Sequence, residues 1–200
     1  MKKKLILFLC TVLIISCNKK IDKIDKIENS ENKKISEFKV DVKTEEISKN
    51  EFLSTITTNF PENMAFTITV SRDYRKKNND ELYAGQIYYS YRALVKNNQL
   101  KFNFKIDDEK WIKEYEDEIK EYESLPKDNS EMDELYTAID RKTIKNTIEI
   151  SILYTPLNEQ SEEIKSIIGV KGENLTGKDV IVFPEYKIYN KIIKIYNEFK

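Results

Sequence analysis

The fold is decided by the stretch LKFNFKIDDEKWI, residues 100–112, in which one repeat gives way to another. Up to Ile106 every second residue is apolar, which is typical of a strand with one buried face. From Asp107 onward the apolar residues recur at helical spacing, as Trp111, Ile112, Tyr115, Ile119 and Tyr122. We therefore expect a strand to end and an amphipathic helix to begin here, with Asp107 or Asp108 as its N-cap.

The residues just before this stretch predict a β-hairpin. Residues 86–95 also alternate, and they are joined to residue 100 by Asn97-Asn98, a pair that accepts the positive φ of a tight turn. We expect residues 86–95 and 100–106 to pair as neighbours. The alternation places Tyr88 and Arg92 on the face opposite Tyr89 and Tyr91.

Further strand patterns lie on both sides of the helical region. They cover residues 51–58, 65–70, 147–154, 180–183 and 186–199, and residues 38–42 fit a short strand or an ordered edge of the tether. Residues 72–81 are expected to form a polar loop. A second short helix is expected over residues 132–139. Pro156 is expected to end the strand at residues 147–154. The expected core residues are Phe66, Ile68, Val70, Phe102, Phe104, Ile148, Ile150 and Ile152, with Trp111 covering one edge.

Strands at both ends with helices inserted between them favour an antiparallel β-sandwich. We therefore expect a mainly β fold with an inserted helical segment around residues 108–140, and an α+β fold is the alternative. Residues 59–61, Asn-Phe-Pro, precede one strand, and the glycine-bearing loop at residues 168–177 precedes the last two. These features resemble those of exported bacterial β-sandwich domains of prealbumin-like or C2-like build, a resemblance that covers residues 50–200 and implies no activity.

The first residues carry three features in a fixed order. Three lysines at positions 2–4 are followed by an apolar run at residues 5–15 and by Ser16-Cys17. This order resembles a bacterial lipoprotein signal peptide. The resemblance implies removal of residues 1–16 and attachment of acyl chains such as palmitate to Cys17. An ordinary secretory signal cleaved elsewhere and a short N-terminal anchor are the alternatives, since the run is shorter than the about 20 residues of a spanning helix.

The lipoprotein resemblance also implies an organisation and a location. Residues 17–36 would form a lipid-anchored flexible tether, because an apolar residue in every third position gives a helix no lasting stripe. A partner-binding helix is the alternative for this segment. Residues 37–200 would form one domain. Asn18 after Cys17 implies delivery to the outer membrane, on the periplasmic or the outer side of the bacterial cell envelope.

Composition excludes several kinds of chemistry. The chain has no histidine, which rules out a Ser-His-Asp triad, a Cys-His pair and a histidine zinc site. Its formal net charge is −1, and the lysines of the signal segment contribute to that sum, so no general attraction to nucleic acid is expected. We expect no cofactor, no metal and no nucleic-acid partner.

Two patterns could carry catalysis or nucleotide binding. Residues 172–178, GENLTGK, match the spacing of a phosphate-binding loop, but Asp179 stands where Ser or Thr would bind magnesium and a strand pattern follows. A turn between strands explains this loop better. The acidic residues of the expected helix could supply the pair of carboxylates of a hydrolase, although a solvated helix face explains them better; they are Glu114, Glu116, Asp117, Glu118, Glu121 and Glu123.

Tyrosine and arginine concentrate in one region. Tyr88, Arg92, Arg72 and Arg75 have the composition of a recognition surface, whereas plain sheet packing is the simpler interpretation. The expected function is a lipid-anchored cell-envelope protein that acts as a non-catalytic binding or accessory module. Its partners would be the membrane, through Cys17, and an envelope protein or glycan. A structural component of an envelope complex is the alternative, and a carboxylate-dependent hydrolase comes third.

Overall fold

Two antiparallel sheets pack face to face in this protein, and the predicted mainly β fold is confirmed. The computed structural model describes residues 37–77, 79–124, 136–156 and 160–199, without the side chains of residues 79–83. The predicted signal segment and tether lie outside the described residues. In the described part of the chain, no helix is long and apolar enough to span a membrane.

The small sheet has three strands in the order β1 (Val40–Ser48), β2 (Glu51–Thr58) and β5 (Gln99–Lys105). The large sheet has six strands, and its main path is β4 (Asn79–Leu94), β3 (Ala65–Lys76), β7 (Thr147–Tyr154), β9 (Lys187–Tyr196) and β8 (Val180–Val182). The two-residue strand β6 (Ile139–Asp140) pairs with the far end of β3. Among the described residues, the helices are α1 (Asp108–Glu123), α2 (Glu162–Ile168) and a 3-10 turn at Arg141–Thr143.

The main core lies between the inner faces of the two sheets. Every residue predicted for this core is buried, from Phe66, Ile68 and Val70 on β3 to the three isoleucines of β7. Phe52 and Phe104 stack across β2 and β5 with ring centroids 5.1 Å apart. Burial of each such apolar side chain stabilises the folded state by about 1.5–3 kcal/mol. The alternation seen in the sequence identifies the residues that form this core.

The predicted pairing of residues 86–95 with 100–106 is wrong. The turn exists, because Asn97 and Asn98 have φ of 51° and 58° and Lys96 bridges Gln99. Beyond the turn, however, β4 pairs with β3 in the large sheet and β5 pairs with β2 in the small sheet. The apolar faces of β4 and β5 then meet across the interior, where Tyr89 stacks on Phe102 at 5.1 Å.

The predicted polar loop at residues 72–81 is wrong as well. β3 continues to Lys76 and β4 begins at Asn79, so this region is the half of a long strand pair that lies next to the connection between the two strands. The alternation of β3 carries Arg72, Tyr74 and Lys76 onto its inner face, and all three are buried. Polar side chains are buried here because helix α1, and not the small sheet, covers this half of β3.

Helix α1 begins and ends close to the predicted positions. Asp107 is the N-cap, and its carboxylate accepts a hydrogen bond from the backbone N–H of Lys110 at 3.1 Å. Trp111 is buried and stacks on Tyr74 at 5.2 Å, so it covers the far end of β3, whereas the prediction placed it over an edge. Of the second helix predicted at residues 132–139, residues 132–135 lie outside the described residues. The other half is wrong, because residues 136–139 are not helical and Ile139 belongs to strand β6.

A bulge in β4 changes the predicted faces of that strand. Val70 pairs with Tyr89 and Ser71 pairs with Ile87, so Tyr88 is an extra residue between two paired positions. Before the bulge Ile87 points outward and is exposed, whereas Tyr88 contacts the inner side of the sheet. Such a bulge re-aims one side chain, and here that side chain belongs to Tyr88.

Replacement of Phe104 tests the packing of the two sheets. Phe104→Ala should lower the free energy of unfolding by about 3–5 kcal/mol, because it empties a buried, stacked position. Lys105→Ala, at the exposed neighbouring position, should change it by less than about 0.5 kcal/mol. Chemical denaturation of the purified variants measures both, and equal midpoints would contradict the register of β5 described above.

Candidate recognition surface

The structure brings Arg72 and Tyr88 together, but inside the protein. The side chain of Arg72 is 0% exposed, although arginine is almost never fully buried unless it is paired. Arg72 lies on β3 where the main core meets a second cluster beneath α1. Its burial follows from the alternation of β3, so Arg72 contributes nothing to a recognition surface.

Asp108 at the start of α1 is the counter-ion of Arg72. The guanidinium Nε lies 3.2 Å from a carboxylate oxygen of Asp108 and donates to the hydroxyl of Tyr88 at 3.0 Å. Tyr88 in turn donates to Asp108, and Trp111 Nε1 donates to the same carboxylate oxygen at 3.0 Å. One carboxylate thus receives a cation, a phenol and an indole.

The remaining donors of Arg72 bind the chain at two distant places. They reach the backbone carbonyls of Lys145 and Asn197 and the side-chain oxygen of Asn197, with the second carbonyl at 2.8 Å. Among the described residues no buried side-chain polar atom lacks a partner. Burial, reinforced by the hydrogen bond to Asp108, raises the pKa of Tyr88 above its ordinary value, so Tyr88 stays a neutral donor.

The other two predicted surface residues lie far apart. Arg92 pairs with Thr67 near one end of β3, and Arg75 lies roughly 26 Å further along that strand, at about 3.3 Å per residue. Arg75 is half-buried beside the 3-10 turn, where its backbone N–H donates to Thr143. Of the four predicted residues, Arg92 is the one that lines a groove on the surface.

We name this groove, of about 660 Å³, the edge groove. It lies where β4, at one edge of the large sheet, faces β5, at one edge of the small sheet. The turn at Asn97-Asn98 closes one end, and the stack of Tyr89 on Phe102 lies beyond the other. Its lining residues are Tyr91, Arg92, Ala93, Leu94, Lys96, Asn97, Gln99, Leu100 and Lys101.

The edge groove is cationic and partly aromatic. Arg92, Lys96 and Lys101 belong to its lining, and none of its described lining residues is acidic. At the turn, Glu62 accepts a hydrogen bond from the backbone N–H of Asn98 at 3.1 Å. Tyr91 shares the inner face of β4 but is 61% exposed, because the small sheet does not cover this part of the edge strand. Such a site can bind an anionic partner.

The glycine-bearing loop is organised against phosphate binding. Residues 172–178 lead into strand β8, not into a helix. A carboxylate oxygen of Glu173 accepts a hydrogen bond from the backbone N–H of Lys171 at 2.9 Å, and backbone hydrogen bonds lower the pKa of Glu173. The backbone donors of this loop therefore already hold a negative charge, as expected for a turn between strands.

Carboxylates are abundant but scattered. All six acidic residues of α1 singled out above lie on its exposed face. Asp73, on the outer face of the large sheet, is half-buried, and its pKa is raised by burial and by nearby Glu149. Glu149 itself forms an ion pair with Lys194 at 2.7 Å. In the described ranges no group of three acidic or cysteine side chains is arranged to hold a metal ion.

The residues that form the edge groove were largely missed by sequence reasoning. Tyr91 was assigned only to the face opposite Arg92, and Lys96 and Lys101 were not singled out. A signal was present, since lysines flank the Asn-Asn turn on both sides. Comparison with known proteins adds no assignment: no family model matches the chain, and no curated protein or solved structure is significantly similar to it.

The ion pair beneath α1 can be tested against an exposed pair on the same helix. Asp108→Asn should destabilise the protein by about 3–5 kcal/mol, because it leaves the buried guanidinium of Arg72 without its counter-ion. Asp117→Asn removes an exposed pair with Lys120, whose atoms are 2.9 Å apart, and should cost less than about 1 kcal/mol. Urea denaturation at neutral pH compares them. Similar losses in the two variants would show that Arg72 does not need Asp108.

Proposed function

We propose that this protein is a lipid-anchored component of the bacterial cell envelope, attached through Cys17, whose β-sandwich domain is a non-catalytic binding module. The observation that carries the binding role is the edge groove, in which cationic side chains and an exposed tyrosine line the open edge of the sandwich. Exposed aromatic and arginine side chains are enriched where proteins bind partners.

The proposed location rests on the first seventeen residues. The order of lysines, apolar run, small residue and cysteine is the one that bacterial lipoproteins share, and Asn18 favours the outer membrane. Several acyl chains would hold the protein firmly, since each buried methylene contributes about 0.8 kcal/mol. The folded domain would then present the edge groove to a partner in the envelope.

Lipidation is tested by one substitution. Cys17→Ala should abolish the incorporation of an acyl-chain probe in bacterial cells, because no other thiol follows the apolar run. Cys10→Ala is the matched control and should leave labelling unchanged, since Cys10 lies within the segment that would be removed. Undiminished labelling of the Cys17→Ala protein would refute the anchor.

A structural role in an envelope complex is the second candidate, and one observation favours it. The β8–β9 hairpin carries an exposed strip, the hairpin strip, formed by Ile181, Val182, Phe183 and Tyr186. Val182 is 69% exposed, and the rings of Phe183 and Tyr186 stack at 4.8 Å beside the hairpin turn. Exposed apolar groups on an edge strand are typical of surfaces that another protein covers.

Site-specific cross-linking separates the two candidates. A photoreactive amino acid placed at Tyr91 should form adducts with an envelope component in living cells if the edge groove binds a partner. Placement at Val182 examines the hairpin strip. Placement at Lys43, an exposed position on β1 at the opposite edge of the small sheet, is the control.

The pattern of adducts decides between the proposals. Adducts at Tyr91 that are absent at Lys43 support the binding module. Adducts confined to Val182 favour the structural role, and equal adducts at all three positions contradict a specific site in the groove.

A further inference from the structure

We infer that the edge groove binds an extended acidic segment of a partner polypeptide, which adds as a strand to the outer edge of β4. This inference rests on the proposed binding role and specifies its ligand. Three properties of the groove carry it: the open strand edge, the alternation of β4, and the charge of the lining.

Within the described part of the chain, one edge of strand β4 is left unpaired. It is 16 residues long and pairs with β3 on one side, while no described strand pairs with it on the other. Such an edge presents a row of backbone N–H and C=O groups that an incoming extended peptide can pair with. β5, the edge strand of the small sheet, lies across the groove and would confine the peptide.

The faces of β4 define which side chains the peptide should carry. Tyr91 and Ala93 pair with inward-facing residues of β3, and Arg92 pairs with the outward-facing Thr67. A strand added beside β4 continues this alternation, because paired residues share a face. Apolar side chains of the peptide would therefore lie over Tyr91 and Ala93, and its acidic side chains would lie beside Arg92.

Charge favours an acidic ligand over a neutral one. Lys96 and Lys101 flank the turn that closes the groove, and Arg92 lies on the edge strand itself. These cations attract a carboxylate-bearing ligand and repel a basic one, at a strength that falls with added salt. From Tyr91 to Lys96 the edge spans about 17 Å, which matches about five residues of extended peptide.

An anionic glycan is the competing ligand for the same cations. It could stack on Tyr91 and contact Arg92, but it would make no use of the backbone amides of β4. The unpaired edge therefore favours a polypeptide, and the test must distinguish pairing through the backbone from attraction by charge alone.

Peptide probes make this distinction with the full-length protein in detergent. The probe is a fluorescent peptide of about seven residues that alternates valine and glutamate, and its binding is followed by fluorescence anisotropy. A peptide with glutamine in place of glutamate examines charge. Two further peptides carry N-methyl groups, one on every valine and the other on every glutamate.

The inference predicts a definite order of affinities. The glutamate peptide should bind about tenfold more tightly than the glutamine peptide, and one of the two methylated peptides should lose about tenfold while the other binds nearly as well. Arg92→Glu and Lys101→Glu should each weaken binding about fivefold to tenfold. Lys43→Glu, the same charge change at the far edge of the small sheet, should have no effect.

Three results would overturn it. Equal binding of the glutamate and glutamine peptides would refute the preference for an acidic ligand. Equal binding of the parent peptide and both methylated peptides would refute strand addition. Tighter binding of an oligogalacturonate than of the glutamate peptide assigns the groove to an anionic glycan. If these appear while Tyr91 still cross-links in cells, the ligand class is wrong and the binding role stands; without Tyr91 adducts the binding role itself fails.

Discussion

The contact between Arg72 and Asp108 fixes where the helix sits on the large sheet. A fully buried guanidinium is costly to desolvate, and the structure compensates it with one carboxylate, one phenol and carbonyl groups from two distant chain segments. Each of these partners comes from a different part of the chain, so the guanidinium is fully paired only when all of these parts are in place. Arg72 thereby joins the main core between the sheets to the cluster of Tyr74 and Trp111 beneath α1.

That junction also explains why the sandwich is incomplete. The small sheet covers only part of the inner face of the large sheet, and α1 covers the half of the β3–β4 pair that lies next to the connection between these strands. At the edge where neither element reaches, Tyr91 is left in solvent although it lies on an inner face. The edge groove thus results from the same arrangement that buries Arg72, in which the small sheet and α1 each cover a different part of the large sheet.

Much of the secondary structure and the core could be predicted from the sequence. Alternation identifies a strand and its buried face, so Phe66, Phe104 and Ile150 were placed correctly without knowledge of their partners. The helix at Asp107 was equally clear, because an N-cap and a change of period coincide there. These signals are local, and they need only a few neighbouring residues to be recognised.

The pairing of strands and the candidate site could not be predicted in the same way. A turn between two alternating segments fits a hairpin and a change of sheet equally well, because both leave the local pattern unchanged. From the sequence, Arg72 was assigned to a polar loop, because its counter-ion Asp108 lies far along the chain and no local pattern links the two residues. The bulge at Tyr88 shifts the faces of β4, which is why Ile87 is exposed and Tyr88 faces the interior.

The change of sheet at Asn97-Asn98 has an evolutionary consequence. The four residues 95–98, which include this turn, join β4 to β5 at one corner, and the length of this link limits how far the sheets can separate there. Insertions at this corner would widen the mouth of the groove while leaving both cores intact. Variation in a single short link could therefore adjust which ligands fit, with selection acting on loop length and not on the packing that keeps the protein folded.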